Sequence, residues 1–178
     1  MQNDRKVVLF IAVSIDGYIA RKNGDIDWLS IVEDPNEDYG YQEFFKSIDT
    51  VIMGRKTYDK VRSFKIDFPH QDKKCYVISK SQRPADQYVE FYSGDVRELI
   101  AMIRQKGGLN IFLDGGAQLV HEFMMKDLID EYIISTIPVL LGSGIPLFGG
   151  DTSKIKLRLC QCKTFSSGLV QLFYSRSN

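Results

Sequence analysis

Two adjacent glycines, Gly115 and Gly116, stand between an apolar run over 109–114 and an amphipathic stretch over 117–128. Where a strand passes into a helix through paired glycines, free backbone N–H groups at the positive end of the helix dipole can bind a phosphate. A tight turn between a strand and a helix uses the same residues. The glycines are therefore a candidate phosphate site that needs support from elsewhere in the chain.

Basic and hydroxyl side chains that follow two other apolar runs supply this support. After the run 50–53, Gly54 leads into Arg55, Lys56 and Thr57, and Ser79 and Lys80 follow the run 75–78. Guanidinium, ammonium and hydroxyl donors together suit a dianionic group such as the 2′-phosphate of NADPH. A basic pair that only opens a helix and solvates its surface is the competing interpretation. We predict that NADPH, rather than NADH, binds this set together with the turn formed by Gly115, Gly116, Ala117, Gln118 and Leu119.

The elements that must position these side chains follow from the apolar pattern. Short continuous apolar runs predict strands buried on both faces; they cover 7–13, 50–53, 75–78, 109–113 and 132–137. Apolar residues at helical spacing predict amphipathic helices over 41–48, 95–106 and 117–128, and a shorter helix over 55–61. Two further strand-like segments, 155–165 and 169–174, flank a Ser-Ser-Gly turn. We predict an α/β fold with a mixed, mostly parallel sheet flanked by helices and a C-terminal antiparallel hairpin.

The bulk composition excludes several classes of protein. A length of 178 residues with 44% hydrophobic content predicts one domain over 1–178, and 23 basic against 23 acidic residues give no attraction to nucleic acid or an anionic membrane. No run approaches the roughly 20 apolar residues of a membrane span, and the run 7–13 lacks a cleavage pattern, so we predict a cytoplasmic protein. Its three cysteines are interpreted as reduced structural thiols, and its two histidines have no second ligand nearby, which predicts no metal site.

Several motifs resemble reductases of known families. The segment 11–20 (IAVSIDGYIA), with Gly24 and Trp28 behind it, resembles the opening of the reductase domain of the bifunctional riboflavin-biosynthesis deaminase-reductase. The segment 51–58 (VIMGRKTY) resembles the cofactor motif of dihydrofolate reductase, and 114–117 (DGGA) is similar to the glycine turns of both. Residues 130–131 and 137–148 again resemble the riboflavin reductase, so the resemblance runs in order from about Val7 to Phe148.

This resemblance implies a dihydrofolate-reductase-like fold that is closest to the C-terminal reductase domain, here as a stand-alone member. It also implies NADPH at the strand ends and direct hydride transfer to a pteridine or pyrimidine-type heterocycle, with Ala12, Ile19 and Trp28 lining the nicotinamide and substrate side and the Gly115-Gly116 peptide in cis. The riboflavin reductase carries Asp-Pro after its matching threonine, whereas Tyr58-Asp59 stands here. The physiological substrate therefore stays unassigned. A dihydrofolate reductase and a non-catalytic nucleotide-binding protein of the same fold remain the alternatives.

Hydride transfer also needs a proton donor, either a side chain or ordered water. Glu33 lies five residues after Trp28, where dihydrofolate reductase carries its carboxylate, and Asp27 beside Trp28 is a rival. Asp114 is a third carboxylate, which could bind a substrate hydroxyl. Each of them could instead be a solvated loop carboxylate or a helix cap. The Trp28 ring could cover a ligand or anchor the core.

Two apolar stretches, 138–141 and 145–148, put more apolar surface into a loop region than a monomer comfortably exposes. In the riboflavin-reductase relatives the corresponding region takes part in dimer formation, so the resemblance implies a homodimer. The competing interpretation is that these residues cap the monomer core beneath the closing hairpin.

Overall fold

The structure is a computed structural model that describes residues 5–64, 66–81, 83–150 and 154–177. Its strands are β1 (Val7–Ser14), β2 (Tyr18–Ala20), β3 (Ile48–Gly54), β4 (Lys74–Ile78), β5 (Val89–Tyr92), β6 (Asn110–Gly115), β7 (Glu131–Ile137), β8 (Ile145–Pro146), β9 (Leu157–Thr164) and β10 (Val170–Arg176). Its α-helices are α1 (Tyr41–Lys46), α2 (Arg55–Ser63), α3 (Val96–Gln105) and α4 (Ala117–Met125), and a 3-10 helix covers Asp27–Val32.

Eight strands form one sheet in the order β5-β4-β3-β6-β1-β7-β10-β9, and β2 and β8 form a second, two-stranded sheet. The pairs from β5 across to β7 are parallel, whereas β10 runs antiparallel to both β7 and β9. The predicted mixed, mostly parallel sheet with a closing antiparallel hairpin is therefore confirmed. Its central strands are the apolar runs of the sequence, because both of their faces are covered.

The helices cover opposite faces of this sheet. Val51 and Met53 of β3 pack with Phe44 of α1 and Tyr58 of α2, a side that we call the α1–α2 face. Ile52, which alternates with them, packs on the opposite side with residues of α3 and α4, and we call that side the α3–α4 face. Side chains that alternate along a strand thus enter different cores, which fixes the register of each strand.

Several elements differ from their predicted bounds. The helix predicted over 117–128 ends at Met125, because Asp127 adopts a positive φ of 57° that breaks the helical path. The helix predicted over 55–61 continues to Ser63. The strands β2, β5 and β8 and the 3-10 helix were not predicted; β2 and β8 contain only three and two residues, too few for a periodic pattern.

A buried arginine ties together the amino edge of the sheet, where β1, β3 and β6 begin. Arg5 is 4% exposed and forms an ion pair with Asp49. Its guanidinium also donates to Thr50 Oγ1 at 2.8 Å and to the backbone oxygens of Leu109 at 2.6 Å, Gly107 at 2.5 Å and Ile103 at 3.1 Å. One side chain therefore holds the starts of two strands and the end of α3.

The three cysteines differ in their accessibility, which predicts their reactivity. Burial, with a smaller contribution from the charge of Asp114, raises the pKa of Cys75 to about 12, whereas Cys160 and Cys162 are exposed on β9. At pH 8 we expect iodoacetamide to label two thiols of the native protein, because the thiolate fraction of Cys75 is about 10⁻⁴. Intact-mass spectrometry checks this count, and the guanidinium-unfolded protein should take up three labels. Rapid triple labelling of the native protein would contradict the placement of Cys75.

Within the described residues, no helix has the length and apolarity that a membrane crossing requires, and no cluster of three metal-binding side chains is found.

The apolar stretches between β7 and β9 divide into two groups. Leu147 is 2% exposed and packs on the α3–α4 face, as the capping interpretation requires. Leu140 and Phe148 are 69% and 52% exposed, which leaves apolar surface for a contact with another molecule.

Candidate functional site

The strand order reverses between β3 and β6: from β3 the chain continues through α2 to β4, toward one edge of the sheet, and from β6 it continues through α4 to β7, toward the other edge. The helix that follows β3, α2, lies on the α1–α2 face, whereas α4, which follows β6, lies on the opposite face. Open α/β sheets form ligand-binding crevices at such reversals, at the carboxyl ends of the strands. On the other side of β6, β1 pairs with β6 only over Val7–Leu9, while its pairing with β7 continues to Ser14. This leaves a gap between the carboxyl ends of β1 and β6 that we call the β1–β6 opening.

The ends of β3 and β6 approach each other through glycines. A Cβ added at Gly54 would lie 3.5 Å from the Gly115 oxygen and 3.7 Å from the Gly116 nitrogen, and one added at Gly116 would lie 3.2 Å from Thr57 Oγ1. Gly115 has a φ of +101°, which side-chain-bearing residues rarely adopt, and the Gly115-Gly116 peptide is cis, as the resemblance implied. The glycines at these positions therefore let the starts of α2 and α4 lie close together.

The starts of α2 and α4 are side by side, because Met53 pairs with Gly115 in the sheet. Their N-cap residues, Gly54 and Gly116, make no side-chain hydrogen bond to the helix, whereas α3 is capped by Asp95, which accepts from the Arg97 N–H at 2.7 Å. Uncapped N–H groups at two adjacent helix starts present partial positive charge to an anion. The arrangement fits the phosphates of a dinucleotide.

The predicted basic residues border this pair of helix starts. Gly54 pairs with Ile78, so Arg55 and Ser79 follow neighbouring strand ends. Arg55, Lys56 and Lys80 are exposed, and the Arg55 Nε lies 3.3 Å from the Asp59 carboxylate. Ser79 is 6% exposed, its N–H donates to the Tyr92 oxygen at 2.9 Å, and its hydroxyl accepts from the Ser81 N–H at 3.4 Å. These contacts hold the turn that carries Lys80.

The remaining predicted cofactor residues differ in what they can offer. Ala117 is half-buried and Gln118 is exposed. The Leu119 side chain is buried in the core and its N–H donates to the Gly116 oxygen, so Leu119 supports the helix start. Ile19 is half-buried against the α3–α4 face, and Ala12 is half-buried beside a small core cluster formed by Trp28, Val32, Ile137 and Leu169.

The 3-10 helix carries the two catalytic carboxylate candidates at its ends. Asp27 is exposed and binds Arg21 through both carboxylate oxygens, at 2.6 Å and 3.1 Å. Hydrogen bonding to Arg21 holds the pKa of Asp27 below its usual range, so this carboxyl is ionised at neutral pH and holds no proton to donate. Glu33 is exposed and borders a surface depression of about 480 Å³ whose floor includes Leu29 and Val32. Their catalytic roles stay predictions.

Trp28 lies between these carboxylates and points into the protein. It is 2% exposed and packs with Val32, Ile137 and Leu169, and its indole nitrogen has no hydrogen-bond partner among the described residues. The burial favours the core-anchoring alternative over a ring that covers the ligand. A direct contact between Trp28 and substrate stays a prediction.

Asp114, the predicted substrate-binding residue, lies at the carboxyl end of β6 and has a partner that sequence reasoning missed. Phe112 packs on the α1–α2 face, so alternation along β6 places Asp114 on this face. Its carboxylate is 22% exposed and lies 3.5 Å from Nε2 of the buried His70. Burial, and to a smaller extent the charge of Asp114, raise the pKa of the nearby Tyr41 to about 12. No periodic pattern marks the segment that contains His70, so only the fold brings the two together.

Comparisons with known proteins agree with this architecture. Residues 5–171 match the RibD C-terminal domain family. The uncharacterized Bacillus subtilis (strain 168) protein YwjB is 49% identical, with 98% of this chain and 99% of YwjB covered, and YyaP of the same organism is 36% identical, with 96% and 94% covered. The crystal structure of a protein from Shewanella sp. PV-4, provisionally assigned to riboflavin biosynthesis, is 35% identical with a TM-score of 0.89, over 97% of this chain and 99% of that one.

More distant structures share the fold. The deaminase/5-amino-6-(5-phosphoribosylamino)uracil reductase of Thermotoga maritima is 18% identical with a TM-score of 0.75. The superposition covers 97% of this chain and 57% of that longer chain. Dihydrofolate reductase from Enterococcus faecalis, complexed with NADP(H), is 15% identical with a TM-score of 0.67, over 100% of this chain and 99% of that one. The chain therefore belongs to the RibD C-terminal domain family and has the dihydrofolate-reductase-like fold.

Proposed function

We propose that the chain is an NADPH-dependent reductase that transfers a hydride to a pteridine or pyrimidine-type heterocycle. The observation that carries the proposal is the pair of uncapped helix starts, α2 and α4, that meet across glycines at the reversal beside β6. A phosphate chain would supply acceptors to N–H groups at these two helix starts, which no side chain caps. The reductase-type role also agrees with the family to which the chain belongs.

Each part of the cofactor has a matching group of residues. The N–H groups at the starts of α2 and α4 and the Thr57 hydroxyl would bind the phosphates that join its two nucleotides. Arg55 and Lys80, assisted by Lys56, would bind the 2′-phosphate, because these exposed cations lie at the ends of β3 and β4. These cations at two neighbouring strand ends would favour NADPH over NADH.

The nicotinamide ring would enter the β1–β6 opening, where Ala12 lies on one wall and Asp114 and Gly115 lie on the other. The bound cofactor supplies a hydride. The residues of the chain hold the acceptor ring against it and exclude water. Asp114 would bind the acceptor, and the half-buried apolar surface of β1 would cover it.

The chain is also proposed to act as a cytoplasmic homodimer. The exposed apolar side chains of Leu140 and Phe148 support a dimer contact, since a second copy would bury them.

Titration with NADPH and NADH tests the cofactor assignment. The chain contains one tryptophan, so energy transfer from Trp28 to the reduced nicotinamide reports binding without interference. We expect NADPH to bind at least about tenfold more tightly than NADH, a difference of about 1.4 kcal/mol. Equally weak, millimolar responses to both cofactors would contradict the proposal.

Turnover separates the proposed reductase from a binding protein of the same fold. Dihydrofolate, oxidised pterins and aminopyrimidines are offered in turn, and NADPH oxidation is followed by its absorbance. Steady oxidation with one of these acceptors supports the reductase. Tight NADPH binding without oxidation across the whole set favours the non-catalytic alternative.

A further inference from the structure

The chain between β4 and β5 carries Lys80, one of the proposed ligands of the 2′-phosphate. The two strands are parallel, so the chain must return from the carboxyl end of β4 to the amino end of β5. Its described residues, 79–81 and 83–88, form no helix, and we call them the β4–β5 connection. Because it lacks regular structure of its own, the connection depends on neighbouring elements for its position.

A hydrogen bond from α2 fixes the end of this connection. The Tyr58 hydroxyl donates to Oδ2 of Asp86. The other carboxylate oxygen, Oδ1, accepts from the N–H groups of Tyr88 and Val89, both at 2.8 Å, and the Asp86 N–H donates to the Val89 oxygen at 3.1 Å. One carboxylate therefore closes the turn that leads into β5 and joins this turn to α2.

The Tyr58 side chain is itself held firmly. It is 8% exposed, and its ring packs edge-on against Phe68 and Phe91 with centroids at 6.1 Å and 5.6 Å. Burial, and the hydrogen bond that it donates, raise the pKa of Tyr58 to about 12, so the hydroxyl keeps its proton at neutral pH. One turn further along α2, the guanidinium carbon of Arg62 lies 5.6 Å from the centroid of the Tyr88 ring. Two successive turns of α2 therefore contact the connection.

The start of the connection is fixed at the carboxyl end of β4. The Ser79 N–H donates to the Tyr92 oxygen, and the Ser81 N–H donates to the Ser79 hydroxyl. Lys80 lies between these contacts, and Arg55 follows the neighbouring strand end. The two exposed cations repel each other when no anion lies between them. Contacts at both ends of the connection oppose this repulsion and keep Lys80 near the start of α2.

We propose that Tyr58 and Asp86 are positioning residues that hold the β4–β5 connection against α2, so that Arg55 and Lys80 are placed for the 2′-phosphate before the cofactor binds. This inference rests on the proposed NADPH-dependent function. A connection that had to be ordered on binding would lose affinity, and one that is already ordered avoids this loss. The Tyr58–Asp86 contact therefore strengthens the preference for NADPH over NADH without touching either cofactor.

The test measures the affinities of both cofactors by calorimetric titration of Tyr58→Phe, which keeps the ring and the net charge. We expect the Kd for NADPH to rise about tenfold and the Kd for NADH to stay within about twofold, because NADH lacks the 2′-phosphate. Asp86→Ala removes the acceptor together with a negative charge, so it is used as the background of a double-mutant cycle. In that background, adding Tyr58→Phe should change the ratio of the two affinities by less than about twofold.

Tyr39→Phe is the matched control, because the Tyr39 hydroxyl donates to Ser167 Oγ at 2.9 Å, outside the proposed cofactor site. Both tyrosine variants lose a hydrogen bond and should melt at a lower temperature, but only Tyr58→Phe should lower the preference for NADPH. A lower Tm with an unchanged ratio of affinities in Tyr58→Phe would make the contact purely structural, and would overturn the inference while the NADPH assignment stands. Equal binding of the two cofactors by the wild type would remove the NADPH assignment and the inference together.

Discussion

Replacing Arg55 and Lys80 together by alanine is expected to weaken NADPH binding about 100-fold and to change NADH binding little. Each charge-assisted hydrogen bond to a phosphate contributes about 1.5–3 kcal/mol, and about 1.4 kcal/mol corresponds to tenfold in affinity. Both side chains are exposed at the ends of neighbouring strands, β3 and β4, so their removal leaves the core intact. Calorimetric titration of both cofactors measures the ratio of affinities.

A charge-matched control separates a specific site from general attraction. Lys46 and Lys106 are exposed near the ends of α1 and α3, at the opposite edge of the sheet. The double variant Lys46→Ala/Lys106→Ala removes the same two charges and should leave the NADPH to NADH ratio unchanged. Equal losses for both cofactors in the Arg55/Lys80 variant would place these cations on the shared phosphates instead of the 2′-phosphate.

Replacing Arg5 by methionine is expected to lower the free energy of unfolding by about 3–5 kcal/mol, because the change leaves buried acceptors without a donor. The carbonyls of Ile103, Gly107 and Leu109 lose their hydrogen bonds to the guanidinium, and Asp49 loses its ion-pair partner. For a chain of this length, each kcal/mol corresponds to about 2–4 °C, so Tm should fall by about 10 °C. Urea unfolding followed by circular dichroism measures the free energy.

The neighbouring residue supplies the control for this variant. Lys6 is exposed and its ammonium lies 2.5 Å from Glu131, so Lys6→Met should cost less than about 1 kcal/mol. Below its melting temperature, Arg5→Met should bind NADPH as the wild type does, because Arg5 lies at the amino edge of the sheet. A stability close to that of the wild type would contradict the role assigned to Arg5.

The sheet was predictable because its central strands are continuous apolar segments in the sequence. The run 50–53 is apolar apart from the hydroxyl of Thr50, which is typical of a strand covered on both sides, and it lies within β3. The edge strand β5 was not predicted, because only four residues take part and Glu90 interrupts any continuous apolar run. Its pairing with β4 depends on tertiary contacts rather than on a local preference.

The candidate site was predictable only where it follows strand ends. Gly54, Arg55 and Ser79 come directly after buried runs, and parallel strands bring their carboxyl ends together whatever the side chains are. His70 gave no signal, because it meets Asp114 across a distance of 44 residues through aromatic packing. For Trp28 the sequence left two alternatives open, a ring that covers a ligand or one that anchors the core, because the partners of the ring come from β7 and the closing hairpin, which are distant in sequence.

The position of the Arg5 contacts has a consequence for how this fold can change over evolution. The Arg5 contacts stabilise the amino edge of the sheet, whereas the exposed or half-buried side chains of Asp27, Glu33 and Asp114 lie elsewhere. The proposed function places these side chains at the ligand, so substitutions there are expected to change selectivity while the Arg5 contacts stay intact. A library that varies these three positions should retain a large fraction of folded members, and the same frame could acquire new heterocycles one substitution at a time.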